Sequence, residues 1–502
     1  MTWQPRFFRT GASSFRAGIP LSSHAHVRMQ RRARSHRSHA CELNYPSARG
    51  RELNMAAVRH VLGAADRPGT AHVVWSTLPP HATEEMDKSM QIFTRLLQVL
   101  RQRAVWTMCV VVFTADVVSG IVVPTFSLYA ASLGASLALI GLLTSFNGLT
   151  SIVASVPIGL LSDLRGRKQV LAGGMLLFAL SSAFYTMVPN PWLLIPVRVM
   201  GSLGMIAVFM VGVAYMGDVV AKEDRGLAVG LYSTAMGLGF TVGPAAGGLL
   251  AERYGYRAGF WLAAGVALVG FFVALWGLAP KQRQPAGSTP VTTVPMATRL
   301  RLMAQEPNLL AASLANLANN VVFTTVFSFV PLFAASLAIG QAAIGSMFAG
   351  RALASTVARL PTGLLTTRIP SKYLMISALA LAGLTLMLVA QVDSPAALAV
   401  LMLVDGVAFG MYLTAGQSFI TENAADLDRG TAMGVYNTAG SIGGTIGPFA
   451  LGILAGVVGL AAVFRVTAVV ALAGAVTLWL LSARGRNTAT TPQESATADF
   501  SG

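Results

Sequence analysis

Gly159-Leu160-Leu161-Ser162-Asp163-Leu164-Arg165-Gly166-Arg167-Lys168 is the stretch on which the fold turns. An apolar run of membrane length leads into it from about residue 137, and another leaves it at about residue 169. Asp163 closes the first run, Gly166 supplies a tight turn, and Arg165, Arg167 and Lys168 make the turn strongly basic. Positive charge packed between two such runs marks a loop on the cytosolic face of a membrane. Gly159 lies a turn before Asp163, where the missing side chain would let a neighbouring helix come close.

Working outward, the chain from residue 105 to 482 falls into twelve apolar runs of roughly 20–26 residues, each long enough to cross a bilayer as a helix. Backbone groups in lipid must bond internally, which makes continuous runs of this length helical. Composition agrees: 54% of residues are apolar and 11% charged, where a soluble domain carries roughly 25% charged residues. The even-to-odd connections carry Arg165, Arg167, Lys168, Lys222, Arg225, Lys281, Arg283, Arg299, Arg301, Arg368, Lys372 and Arg429, whereas the opposite ones carry Arg253 and Arg257. That asymmetry places those connections and both termini in the cytosol, in a plasma or inner membrane.

A shift of 204 residues carries Asp224-Arg225-Gly226-Leu227-Ala228-Val229-Gly230-Leu231-Tyr232 onto Asp428-Arg429-Gly430-Thr431-Ala432-Met433-Gly434-Val435-Tyr436. The same shift takes Gly243-Pro244 onto Gly447-Pro448, Asp116 onto Asn320 and Asp218 onto Glu422. One unbroken offset across five helices predicts an all-α membrane protein of two six-helix pseudo-repeats, residues 105–279 and 309–482, that can alternate access to a midplane site. The Pro-rich run 280–308 reads as a cytosolic linker, and 483–502 as a tail. Residues 1–104 read as a basic N-terminal extension. Its first 41 residues hold eight Arg and no acid, so a targeting peptide, a disordered tail and a start placed too early, with Met86 or Met90 as the true start, all stand open.

All seven histidines precede Glu84, so a proton relay in the membrane would have to use carboxylates. The deep ionisable residues are Asp116 in helix 1, Arg198 in helix 4, Arg351 in helix 8 and Asp405 in helix 10. Charge at that depth is costly and marks functional candidates; the plainer alternative is two structural ion pairs, Asp116 with Arg198 and Asp405 with Arg351. Asp218, Asp224, Arg225, Glu422, Asp428 and Arg429 fall at cytosolic helix ends, where they read as gate and capping residues. Phe113, Asn147, Tyr232 and Tyr436 are the candidates for lining a substrate cavity. Cys41 and Cys109 make no disulfide framework. No nucleophile–base pair, metal cluster or Walker loop is present, so the chain reads as a non-enzyme without a cofactor, driven by an ion gradient.

The loop from Gly159 to Lys168 resembles the signature G-x-L-a-D-r-x-G-r-k of the major facilitator superfamily. The resemblance implies that Asp163 holds the two halves together at their cytosolic ends. A carboxylate beside the N-terminus of helix 11 would gain roughly 0.3–1 kcal/mol from the helix dipole, the size of a latch that can release. In the second half Thr367 replaces the aspartate, so the latch is one-sided. Helix 5 carries Gly239, Gly243, Pro244, Gly247 and Gly248 in the spacing g-x-x-x-G-P-x-x-G-G. It is similar to the motif of major facilitator antiporters, and Gly345, Ala349, Ala352 and Ser355 on helix 8 offer it a small face. The context of Asp116 resembles helix 1 of tetracycline-type exporters. Arg198 resembles the arginine of a second family motif tied to proton transfer, with Gly201 and Ser202 departing from it. These resemblances imply a monomeric proton-coupled exporter of small hydrophobic or amphiphilic compounds, whose partners are the substrate, protons and the bilayer and not nucleic acid. A proton symporter importing a nutrient or organic anion is the alternative, and a non-transporting receptor or scaffold the remote one.

Overall fold

The computed structural model describes residues 98–99, 101–221, 224–279, 298, 301, 306–423 and 429–488, without the side chains of 429–431 and 483–488. The expectations for residues 1–97, for most of the linker and for the tail from 489 lie outside this description, as do Lys222, Asp428 and the side chain of Arg429.

Among the described residues, twelve long helices follow one another: α1 Arg103–Ser132, α2 Leu137–Arg165, α3 Arg167–Tyr185, α4 Leu194–Val219, α5 Arg225–Tyr254, α6 Tyr256–Gly277, α7 Pro307–Ser336, α8 Gln341–Leu365, α9 Ser371–Val389, α10 Pro395–Asn423, α11 Arg429–Val458 and α12 Leu460–Thr488. Several outrun their apolar stretches, because a helix continues past the hydrocarbon while its backbone still bonds internally. Ten are long and apolar enough to cross a membrane on length and composition. The other two are α3, which opens on Arg167-Lys168-Gln169, and α8, which carries Arg351 and Arg359.

The repeat is visible in the packing. Within the first half α1 packs on α5 and α6, α2 on α4, and α3 on α4 and α6. The second half repeats this with α7 on α11 and α12, α8 on α10, and α9 on α10 and α12. Between the halves, α2 lies along α11 and α8 along α5. Glycine permits both contacts. A Cβ on Gly345 would fall 3.0 Å from the Cα of Gly248, and one on Gly141 would fall 2.8 Å from the Cα of Gly452. The 204-residue shift turns one pair into the other, so the two seams are pseudo-symmetric. Lipid tails are as apolar as leucine, so close backbone approach through small residues is what joins such helices.

These close approaches share one end of the bundle, opposite the basic end that carries Gly166 and the α8–α9 join. Toward the basic end of α5 a Cβ on Gly226 or Gly230 would meet nothing within 4 Å. On Gly159 it would meet only Met210 of the same half, at 3.7 Å. The close helix approach expected at Gly159 is therefore absent, because α2 faces the flexible tip of a methionine there rather than a backbone.

Candidate substrate cavity and its charged groups

A cavity of about 190 Å³ lies on the seam between the halves. Asp116 of α1, Met236, Gly237 and Phe240 of α5, and Phe323 of α7 form part of its wall. Arg351, Ala352, Ser355, Thr356 and Arg359 of α8, with Phe409 and Leu413 of α10, complete it. Apolar rings and a few polar groups converging from both halves are the usual make-up of a small-molecule site.

Arg351 and Asp405 form an ion pair, Nε donating to Oδ2 at 2.6 Å, with side chains 2% and 1% exposed. The guanidinium carbon also sits 4.9 Å from the ring centre of Phe327 and 5.2 Å from that of Phe409. Pairing and ring faces together compensate a charge that burial would otherwise make costly. Gly406, next to Asp405, admits the backbone of Arg351 so closely that a Cβ there would collide with it.

Asp116 does not pair with Arg198. Its electrostatic partner is Arg359, on the other half. Asp116 is 6% exposed, its Oδ2 has no hydrogen-bond partner, and the same holds for Arg359 Nε and for the hydroxyl of Ser355. A Cβ on Gly239 would stand 3.0 Å from the Asp116 Cβ, so the first glycine of the α5 motif makes room for this acid. Reasoning from the sequence misses Arg359, yet a signal exists there: Arg351, Ser355 and Arg359 recur at a spacing of four on α8 and so share one helix face.

Arg198 occupies a separate, smaller pocket of about 30 Å³ inside the first half, with Asn147, Tyr185 and Ser202. Its guanidinium carbon lies 4.3 Å from the centre of the Phe126 ring. Ser202 donates to the Asn147 side chain and to the Arg198 carbonyl. Asn147 thus lines this pocket and not the larger one. Phe113, Tyr232 and Tyr436 do not line the larger cavity either. Phe113 presents its carbonyl to Gly239, and Tyr232 and Tyr436 lie against Gly212 and Gly416. The 204-residue shift relates both the tyrosines and these glycines, so the pair packs α5 on α4 and α11 on α10 in matching fashion.

At the basic end Gly166 joins α2 to α3 with φ +97°, a conformation that favours glycine. Arg167 pairs with Asp218. In the second half Ser371 donates to Glu422 at 2.6 Å, and the repeat shift maps one contact onto the other. Asp163 and Arg165 are exposed in the last turn of α2, Lys168 is half-buried in α3, and Arg225 is exposed at the start of α5. Asp224 precedes α5 but makes no side-chain cap bond: its backbone is helical rather than extended, which denies its carboxylate the capping geometry. Thr367, in the place of a second Asp163, donates to the Leu364 carbonyl of its own helix.

The α5 motif divides between two neighbours. Gly239, Gly243 and Gly247 face α1, where a Cβ on Gly120 would reach the Pro244 ring at 2.7 Å, while Gly248 alone of them faces α8. Past the motif, Glu252 accepts a hydrogen bond from the Ala342 amide at 2.7 Å, tying the end of α5 to the first turn of α8. Carboxylates are favoured at that position by the free amides and the helix dipole.

A helical bundle of two repeated halves meeting around a cavity is an architecture that membrane transporters use. The sequence matches the Major Facilitator Superfamily over residues 108–340 and 312–502, and the chain belongs to that family. It is 29% identical to the multidrug resistance protein MdtG of Escherichia coli over 345 residues, 68% of this chain and 83% of that one. It is 23% identical to the MFS-type transporter MJ1560 of Methanocaldococcus jannaschii over 372 residues, 73% of this chain and 95% of the relative. The crystal structure of the nucleoside transporter NupG is similar in fold, with a TM-score of 0.64 at 15% identity, covering 75% of this chain and 99% of that one. Proteins of this family are transporters and not enzymes.

Proposed function

We propose that the chain exports small hydrophobic or amphiphilic compounds in exchange for protons, by alternating access to the cavity on the seam. The observation that carries this reading is Asp116, a buried residue of the cavity wall with a carboxylate oxygen that no protein group bonds. An acid whose hydration changes between two access states can take up a proton in one and release it in the other. Relatedness to MdtG supports export of toxic compounds. The positive-inside asymmetry supports a cytosolic basic end, with both termini on that side. The close glycine contacts at the opposite end then describe a state closed to the outside. Carrying the α2–α11 register on from Gly141 and Gly148 brings Asp163 level with the start of α11, where it would latch the basic end when that end closes.

Import of an organic anion by symport would use Arg351 and Arg359. Asp405 neutralises Arg351, and Asp116 opposes Arg359, so the cavity has no surplus of positive charge to favour an anion. The test is growth of a pump-deficient bacterial host on a panel of toxic compounds, with and without the chain. Protection that a protonophore abolishes supports the reading; sensitisation across the panel, with none protected, contradicts it.

A further inference from the structure

Three polar side chains line one cavity, each with an atom that lacks a hydrogen-bond partner, and they are of opposite character. Asp116 brings a carboxylate from the first half; Arg359 and Ser355 bring a guanidinium and a hydroxyl from the second. Asp116 and Ser355 are 6% and 3% exposed, so bulk water is a poor substitute for a missing partner. The rings of Phe240, Phe323 and Phe409 line the same cavity, the last two stacked at 5.1 Å.

We infer that the cavity selects small aromatic compounds carrying a cationic and an anionic group on one skeleton, the cation received by Asp116 and the anion by Arg359 and Ser355. A monocation would satisfy Asp116 and leave the half-buried Arg359 without its counter-charge; a monoanion would do the reverse. A buried charge stripped of compensation is heavily penalised, whereas a zwitterion satisfies both ends and lays its ring on the phenylalanines. Such a ligand also bridges α1 and α8, and so touches both halves at once. The inference rests on the cavity being the substrate site.

The test is isothermal titration of the purified full-length protein with 4-(aminomethyl)benzoate, benzylamine and benzoate. The zwitterion is expected to bind at least about tenfold tighter than either single-charge compound, the scale of one charge-assisted hydrogen bond. Arg359→Gln should bring it down to the benzylamine level, Asp116→Asn to the benzoate level, and Arg359→Lys should restore part of the preference. Equal binding of all three by the wild type, no binding of the zwitterion, or a preference that survives both charge removals would overturn the inference. Ala352→Trp, which fills the cavity wall, separates the two claims. Binding unchanged by it removes the cavity as the substrate site; binding lost without any zwitterion preference removes only the substrate class.

Discussion

Asp116 on α1 and Arg359 on α8 interact electrostatically across the seam, while Asp116 Oδ2 and Arg359 Nε remain without hydrogen-bond partners. The two charges belong to different halves, so anything that neutralises one changes the attraction between the halves. Protonation of Asp116 and binding of a cationic group there compete for the same carboxylate, which is the arrangement an exchanger requires.

The Arg351–Asp405 pair has a different role and a different expected phenotype. Asp405→Asn leaves a buried guanidinium without its counter-charge, a change that costs about 3–5 kcal/mol where a buried pair is broken. The purified variant should melt well below the wild type. Unchanged melting would show that the phenylalanine rings alone suffice to hold Arg351.

Gly248→Val should separate the halves at the closed end, because its Cβ would stand 2.9 Å from the Cα of Gly345. Overpacking of this kind costs about 1–3 kcal/mol. Gly452→Val should behave alike, since Gly452 meets Gly141 in the matching way. Gly159→Ala should be neutral, its nearest neighbour being the tip of Met210 at 3.7 Å. Thermal melts of the three variants check this; a loss at Gly159 equal to that at Gly248 would contradict the account of the seams.

Much of this architecture is legible in the sequence because it rests on period and repetition. Apolar length marks the helices, and the 204-residue offset predicts contacts that recur in pairs, such as Arg167–Asp218 beside Ser371–Glu422. The cavity wall is less legible. Tyr232 and Tyr436 look like cavity residues in a sequence, yet which face of a helix turns inward depends on its neighbours. Phe240, Phe323 and Phe409 are three phenylalanines among 24, and nothing local singles them out. Arg198 suggests itself as the partner of Asp116 and is not, because position along a helix gives the level of a charge in the membrane and not its direction.

Asp163→Asn should reduce transport by at least about tenfold while leaving membrane insertion intact, since it removes a charge at the basic end and little volume. Transport of a substrate found in the growth panel, measured in inverted vesicles with insertion checked by immunoblot, decides it. Full transport would remove Asp163 from the latch.

Glu252→Gln should weaken the tie between α5 and α8, by about 0.3–1 kcal/mol from the lost charge at the helix start. Cysteine pairs across the closed end should then cross-link more slowly. An unchanged rate would show that the glycine seam alone keeps that end shut.

Proton-driven movement in reconstituted vesicles, with the same substrate and an imposed pH gradient, tests the role of Asp116 most directly. Asp116→Asn should abolish gradient-driven accumulation while preserving passive exchange of substrate between the two sides. Gradient-driven accumulation at the wild-type rate in Asp116→Asn would contradict the assignment of the proton to Asp116.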